Sequence, residues 1–501
     1  MRPFNHIAVA VALGAALSPG CTGGGAAVGE ECTAAGDCMD GLQCLGGLCT
    51  PACELHVECG DGYRCDQGTC ALVTSEIGDR CEREIDCGPG QICALDGAGA
   101  GGDGPLAGTC QAQPPGLVTG QACEADSDCR SGVCAIGLCT EMCQATADCA
   151  PGQTCALIPR LLPDAAPIFS GCLPRQGVAV DHVAVASPRT TLRVPVPSTA
   201  RSFALVARVD STDQMVGATR VVDPAGRLLF ANPATTDDFY RNPLRYAPGF
   251  GISTLLVPNT PDIDLQVGAY EIDVASLLPV GGTGTAVPEV TLFYKLDTAA
   301  SLDLHFHFLD LTDHPCAAQF DGGRLDATSA GMSPRFQQYV SAIDAMLAPA
   351  GLTVGEVTYR DIGGRGDLDA IRREHLGELL ALSDQPTGVS VFVVRSVSPV
   401  GVQALVGGTP GPPRTPGTAA SGIAVGADTL CYRSWDILAR ITAHALARQM
   451  GLYFNRAPDG ALDTISDSDD SADNLMFFSE FGGTSLSEGQ RDVLRRYPGL
   501  R

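Results

Sequence analysis

Ile441-Thr-Ala-His-Ala-Leu-Ala-Arg-Gln-Met-Gly-Leu-Tyr-Phe454 is the stretch on which the reading of this 501-residue chain turns. Apolar residues recur at helical spacing from Trp435 to Met450, and Gly451 marks a turn. His444 sits inside that helix. A helix that holds a divalent cation reads H-E-x-x-H-x-x-G-x-x-H. Two imidazoles lie one turn apart, a third lies beyond the Gly turn, and the Glu takes a proton from metal-bound water. In that frame His444 is the first imidazole and Gly451 the turn. Ala445 stands at the Glu position, Arg448 at the second His and Phe454 at the third.

Those three substitutions decide the chemistry. A catalytic zinc needs three protein ligands and an open fourth position for water. Arg448 has no lone pair to give, and its permanent charge repels a dication. Phe454 offers no donor atom, and Ala445 removes the base. The expectation is therefore no catalytic residue here and no zinc, with zinc returning only if a neighbour rebuilds the site. His444 is read as a residual polar or packed side chain. His305 and His307 lie at i and i+2 on an alternating strand and are read as structural, as are the unpatterned His314 and His375. Asp463, Asp467, Asp469, Asp470 and Asp473 make an acidic loop. It is read as solvated, with calcium on Asp463, Asp467 and Asp469 as the cofactor alternative.

Around the helix, residues 300–501 mix strands and helices, the α/β or α+β class. Ser301–Leu309 alternates like a strand, and Val389–Val394 is a buried one. Ser333–Leu347 is an amphipathic helix with Phe336, Val340, Ile343 and Leu347 on one stripe. Gly407–Gly417 is a Pro/Gly-rich loop, Gly422–Gly426 is read as an edge strand, and Ser487–Tyr497 closes the chain as a helix. Four stretches together resemble the metzincin zinc peptidases, most closely the pappalysin-like branch. They are Ile441–Phe454, Asp463-Thr-Ile-Ser-Asp467, Asn474-Leu475-Met476 and Ser487-Glu-Gly-Gln490. The resemblance implies that Asn474, Leu475 and Met476 form a Met-turn beneath the metal position. It further implies a cleft that has kept its architecture without its hydrolysis. The expected function is a pseudo-metallopeptidase that binds peptide, protein or surface polymer. Competing readings are an active zinc metalloendopeptidase with a rebuilt site, or an inert envelope component.

The first third is an internal repeat. Cys32, Cys38, Cys44 and Cys49 define a unit that recurs from Cys53, Cys81, Cys123 and Cys143, and Asp precedes the second Cys in several units. Each unit has few large apolar residues, so cross-links must stand in for a core. Four Cys allow three pairings, and spacing does not choose among them. Residues 30–173 resemble Dickkopf-type cysteine-rich repeats, which suggests a stalk. Residues 178–298 lack Cys and read as short strands divided by turns such as Asp223-Pro-Ala-Gly226, hence a β-sandwich.

Residues 1–21 read as a signal peptide, with Arg2 before the apolar run Ile7–Leu17. Leu17-Ser-Pro-Gly-Cys21 resembles a bacterial lipoprotein box, which implies lipidation at Cys21, and 22–29 would be a flexible tether. Of 23 Cys, setting Cys21 aside leaves an even number, and Cys316 and Cys431 are expected to pair. The expected location is the outer membrane or cell surface of a Gram-negative bacterium, or the medium. The partners would be a membrane, through the anchor, and the ligand of the C-terminal domain. A net charge of −25 argues against nucleic acid as a partner. No nucleophile elbow, P-loop or dinucleotide fingerprint is present.

Overall fold

The computed structural model describes residues 30–33, 37–39, 42–45, 48–51, 53, 56–59, 63–95, 108–232, 242–309, 311–399 and 401–501. The signal peptide, Cys21 and the tether lie outside the described residues.

All five repeat units pair their cysteines first to third and second to fourth, as in Cys32–Cys44 and Cys38–Cys49. The reason is a short hairpin. Its two strands set the third and fourth Cys directly opposite each other, for instance Cys93 beside Cys110 and Cys155 beside Cys172. Each then reaches back to the loop that precedes the hairpin. The recurrent Asp shapes that loop. Asp86 accepts from the backbone N–H of Glu82 and Arg83, Asp128 from Glu124 and Ala125, and Asp148 from Gln144 and Ala145.

The last three units are no stalk. Glu84 N–H donates to Met142 O across the third and fifth units, and Arg83 faces Asp148 at 3.8 Å. Arg160 of the fifth unit pairs with Asp126 of the fourth at 2.6 Å. Ile136, Met142, Ile158 and Phe169 join the same core as the β-sheets that follow. A unit with so little apolar surface gains more by sharing a core than by standing alone. Replacing Cys143 and Cys155 by Ser should cost about 2–5 kcal/mol. Trypsin should then cut first at Arg160 and Arg175, and an unchanged digestion rate would contradict this.

Strands β1 (Val178–Val183), β2 (Arg189–Val196), β3 (Ser202–Arg208), β4 (Met215–Val222), β5 (Leu228–Ala231), β6 (Gly249–Phe250), β7 (Ile252–Val257), β8 (Gly268–Leu277) and β9 (Glu289–Lys295) form two antiparallel sheets. One is ordered β1-β9-β3-β7, the other β2-β8-β4-β5 with β6 beside β4. Phe203, Leu205 and Leu255 of the first meet Tyr270, Ile272 and Val221 of the second in one core. The other face of the first sheet carries Ala204, Val206, Leu256 and Phe293, which pack with Ala420. Lys295, the chain's single lysine, is 1% exposed, and its Nζ donates to Asp297 Oδ1 at 3.0 Å and Ala299 O at 2.8 Å.

The last 200 residues centre on a five-stranded mixed sheet. Its members are β10 (Ser301–Leu309), β11 (Thr353–Ile362), β13 (Val389–Val394), β15 (Ala404–Val406) and β16 (Ile423–Gly426), ordered β11-β10-β13-β16-β15. The first four are parallel and β15 runs antiparallel at the edge. The short β12 (Ala370–Arg372) and β14 (Ser396–Ser398) pair separately. Gly422–Gly426 is thus an interior strand, not the edge. Its unbroken apolar run, buried throughout, is what a parallel interior strand carries. The helices are α1 (Ala327–Met332), α2 (Pro334–Leu347), α3 (Leu376–Leu380), α4 (Trp435–Gln449) and α5 (Glu488–Arg495). Ser333 caps α2 on Phe336 N–H, Pro334 takes the first turn, and Phe336, Val340, Ile343 and Leu347 are buried. Tyr339 of α2 meets Thr442 of α4 through a 2.7 Å hydroxyl contact. Cys316–Cys431 ties the segment after β10 to the start of α4 and closes 115 residues.

Eleven disulfides mark an exported or extracellular protein. Among the described residues no helix is long and apolar enough to cross a membrane.

Candidate functional site

Helix α4 starts at Ser434, whose side chain accepts from Ile437 N–H, and its chain turns at Gly451 with φ +113°. Only Gly adopts that angle freely. A Cβ at this position would also sit 3.1 Å from Leu256 of the β-sheet body. The turn brings Phe454 back beside the helix. Its ring lies 5.4 Å from the His444 ring, and the Arg448 guanidinium lies 4.4 Å over its face. The retained His444 and the two altered positions Arg448 and Phe454 thus do meet. They form a stack of imidazole, phenyl and guanidinium.

His444 Nδ1 lies 2.8 Å from Leu475 O. A carbonyl only accepts, so Nδ1 carries a proton. Burial pulls this imidazole down to about 3, and the Arg448 and Arg440 guanidiniums push the same way. The residues beneath are equally fixed. Asn474, Leu475 and Met476 are buried. Asn474 Nδ2 donates to Gln490 Oε1 at 2.9 Å, and its Oδ1 accepts from Met476 N–H at 2.8 Å. Ser487 in turn caps α5 on Gln490 N–H, so the turn under His444 is anchored to the last helix.

Arg440, one helical turn before His444, was not singled out by sequence. It is 4% exposed and donates to four backbone carbonyls: Gly483 at 3.2 Å, Ser479 at 2.6 Å, Leu475 at 2.9 Å and Phe477 at 3.0 Å. A charged residue on the buried face of an apolar helix was the available signal. Its partners lie 35 to 43 positions later, which no local pattern displays.

The donor set does not fit a catalytic cation. Only one of the three motif positions carries a lone pair, and the charges acting on it are both positive. Ala445 is 1% exposed within the apolar core. The other histidines are engaged elsewhere. His305 Nδ1 meets Thr358 Oγ1 at 2.7 Å, and its Nε2 meets Thr387 O at 2.9 Å. His307 stacks on Phe392 at 4.6 Å, and its Nε2 meets Ser390 Oγ at 3.2 Å. His314 Nε2 donates to Arg395 O at 3.0 Å. His375 is exposed.

Each of the three acidic residues put forward for calcium accepts hydrogen bonds from the protein itself. Asp467 accepts from Ser487 Oγ and Gly489 N–H, both at 2.9 Å, and so docks the start of α5. Asp469 accepts from Ser471 N–H at 3.1 Å and Asp463 from Ile465 N–H at 3.2 Å. Burial raises the Asp463 carboxyl to about 6.

No protein-family profile and no curated protein matches this chain. Among solved structures, "Structure of infectious bursal disease virus Gx strain" aligns with 11% identity and a TM-score of 0.15, over 27% of this chain and 36% of that one. A likeness at that level carries no argument about fold or function.

Proposed function

We propose that this is an exported, lipid-anchored surface protein whose residues 300–501 form a metzincin-like domain that binds peptide, protein or surface polymer without cleaving it. The observation that carries the reading is the contrast within one helix. The seat of a metal ligand is kept, with His444 on Leu475 O and Met476 in the turn below, while the positions that would complete the cage hold Arg448 and Phe454. The mixed sheet with its antiparallel edge supports the same reading, because among the described residues β15 pairs with β16 alone, and an edge strand is where an extended chain can add. Abundant disulfides support export, and Cys21 in its lipoprotein-like box supports anchoring. The net charge of −25 argues against a nucleic-acid ligand.

Two measurements test this. A mixed peptide pool incubated with the full chain should be retained and recovered uncut; cleavage abolished by chelators would overturn the proposal. Separately, Arg448→His with Phe454→His should create a three-imidazole site with His444 and take up about one equivalent of zinc. Ala445 is left in place, since a carboxylate there would enter the apolar core. No zinc uptake by the folded double variant would count against the metzincin frame.

A further inference from the structure

We infer that the position lost to the metal has become an anion subsite, in which the Arg448 guanidinium receives a carboxylate of the bound ligand. The inference rests on the binding role proposed above for residues 300–501.

Four observations lead to it. First, Arg448 makes no ion pair among the described residues; its single hydrogen bond is to Thr409 Oγ1, at a long 3.4 Å. Its Nε is buried and has no acceptor at all. Guanidinium has five donors in a fixed fork, and a buried one left this empty is costly. Second, its plane is already set. Phe454 lies under it at 4.4 Å, and the Tyr453 hydroxyl donates at 2.9 Å to the carbonyl of Thr409, the residue whose Oγ1 Arg448 meets. A preset fork matches the two oxygens of a carboxylate. Third, the charged side chains acting on His444 and Arg448 are arginines. Arg373 acts on Arg448, and both Arg448 and Arg440 act on His444; Tyr453 is the sole acidic group in that set. Such a positive spot inside a chain of net charge −25 is not an effect of overall composition. Fourth, His444, Arg448 and Phe454 each keep part of their surface in solvent, although the Arg448 Nε itself is buried. The chemical class is an organic carboxylate on a peptide, at its C-terminus or on an acidic side chain.

The test uses the full, disulfide-bonded chain with two kinds of probe. One is acetate, followed by its effect on thermal unfolding at constant ionic strength. The other is a set of N-acetylated tripeptides, each made with a free C-terminal carboxylate and as the amide. Acetate should raise the unfolding temperature of the parent, and Arg448→Met should abolish that rise. Carboxylate peptides should bind at least tenfold tighter than their amides, and Arg448→Met should bring the two forms level. Arg448→Lys keeps the charge but loses the fork and should recover only part of the difference. It also serves if the Met variant fails to fold. Equal binding of both peptide forms, with no acetate effect, would overturn the subsite and leave the binding role standing. An acetate effect lost in Arg448→Met, with no peptide of either form retained, would uphold the subsite and count against the peptide-binding role.

Discussion

Arg440→Met should destabilise the C-terminal domain by about 3 kcal/mol or more, the largest effect expected of any single substitution near the site. Four charge-assisted bonds to carbonyls contribute at least about 1.5 kcal/mol each, or about 6 together. Against them stands the burial of the guanidinium, which pulls it down to about 10. That shift corresponds to a cost of about 3 kcal/mol. The bonds win, and Met cannot replace them although it fills similar space. At about 2–4 °C per kcal/mol for a domain of this size, unfolding should begin about 6–12 °C lower. Hydrogen exchange should quicken first at residues 475–485, the loop whose carbonyls are released. Arg440→Lys should recover less than half, because one ammonium cannot span carbonyls from Leu475 to Gly483. Wild-type stability in either variant would show that the loop is held by something else.

The second large effect is on acid stability, and its sign follows from burial. His444 falls from 6.5 to about 3 and His307 from 6.5 to about 4, both through burial. His305 and His314 are lowered as well. The unfolded chain therefore binds protons that the folded chain refuses. Stability is fully present above about pH 6.5 and is lost as pH falls. Between pH 6 and 4 the first two histidines cost about 1.4 kcal/mol per pH unit each, or about 5 kcal/mol together. Asp463 works the other way. Burial raises it from 3.8 to about 6, so the folded state binds its proton first and gains up to about 3 kcal/mol over the same range. The net loss should be about 2–3 kcal/mol. Asp463→Asn should steepen it towards the full histidine value, and His444→Leu should flatten it. Denaturant midpoints at pH 4, 5, 6 and 7 read this directly; stability rising towards pH 4 in the parent would contradict it.

Elements carried by local pattern were legible in the sequence. The helix bearing His444, the stripe on Pro334–Leu347 and the alternation of Ser301–Leu309 all follow from periodicity, which is a property of neighbours. The pairing of the repeat cysteines was not, because spacing is the same for all three possibilities and the hairpin register breaks the tie. Gly422–Gly426 was misplaced at the edge because its position depends on Ala404–Val406, a three-residue strand too short to register as one. The packed third to fifth units were hidden for a similar reason. Ile136, Met142 and Phe169 are sparse along the chain and become a core only when a β-sheet body supplies the rest. At the site, the identities of Ala445, Arg448 and Phe454 could be read in place, whereas the role of Arg440 required the carbonyls it holds.

Lys295 has one more consequence, for chemical labelling. Apart from the α-amino group, the chain owns a single primary amine, and that amine is 1% exposed and committed to Asp297 and Ala299. Acylating reagents and amine-directed cross-linkers find no lysine on the native surface. Modification of that side chain would therefore report opening of the β-sheet body itself, a built-in tracer for unfolding that needs no engineered tag.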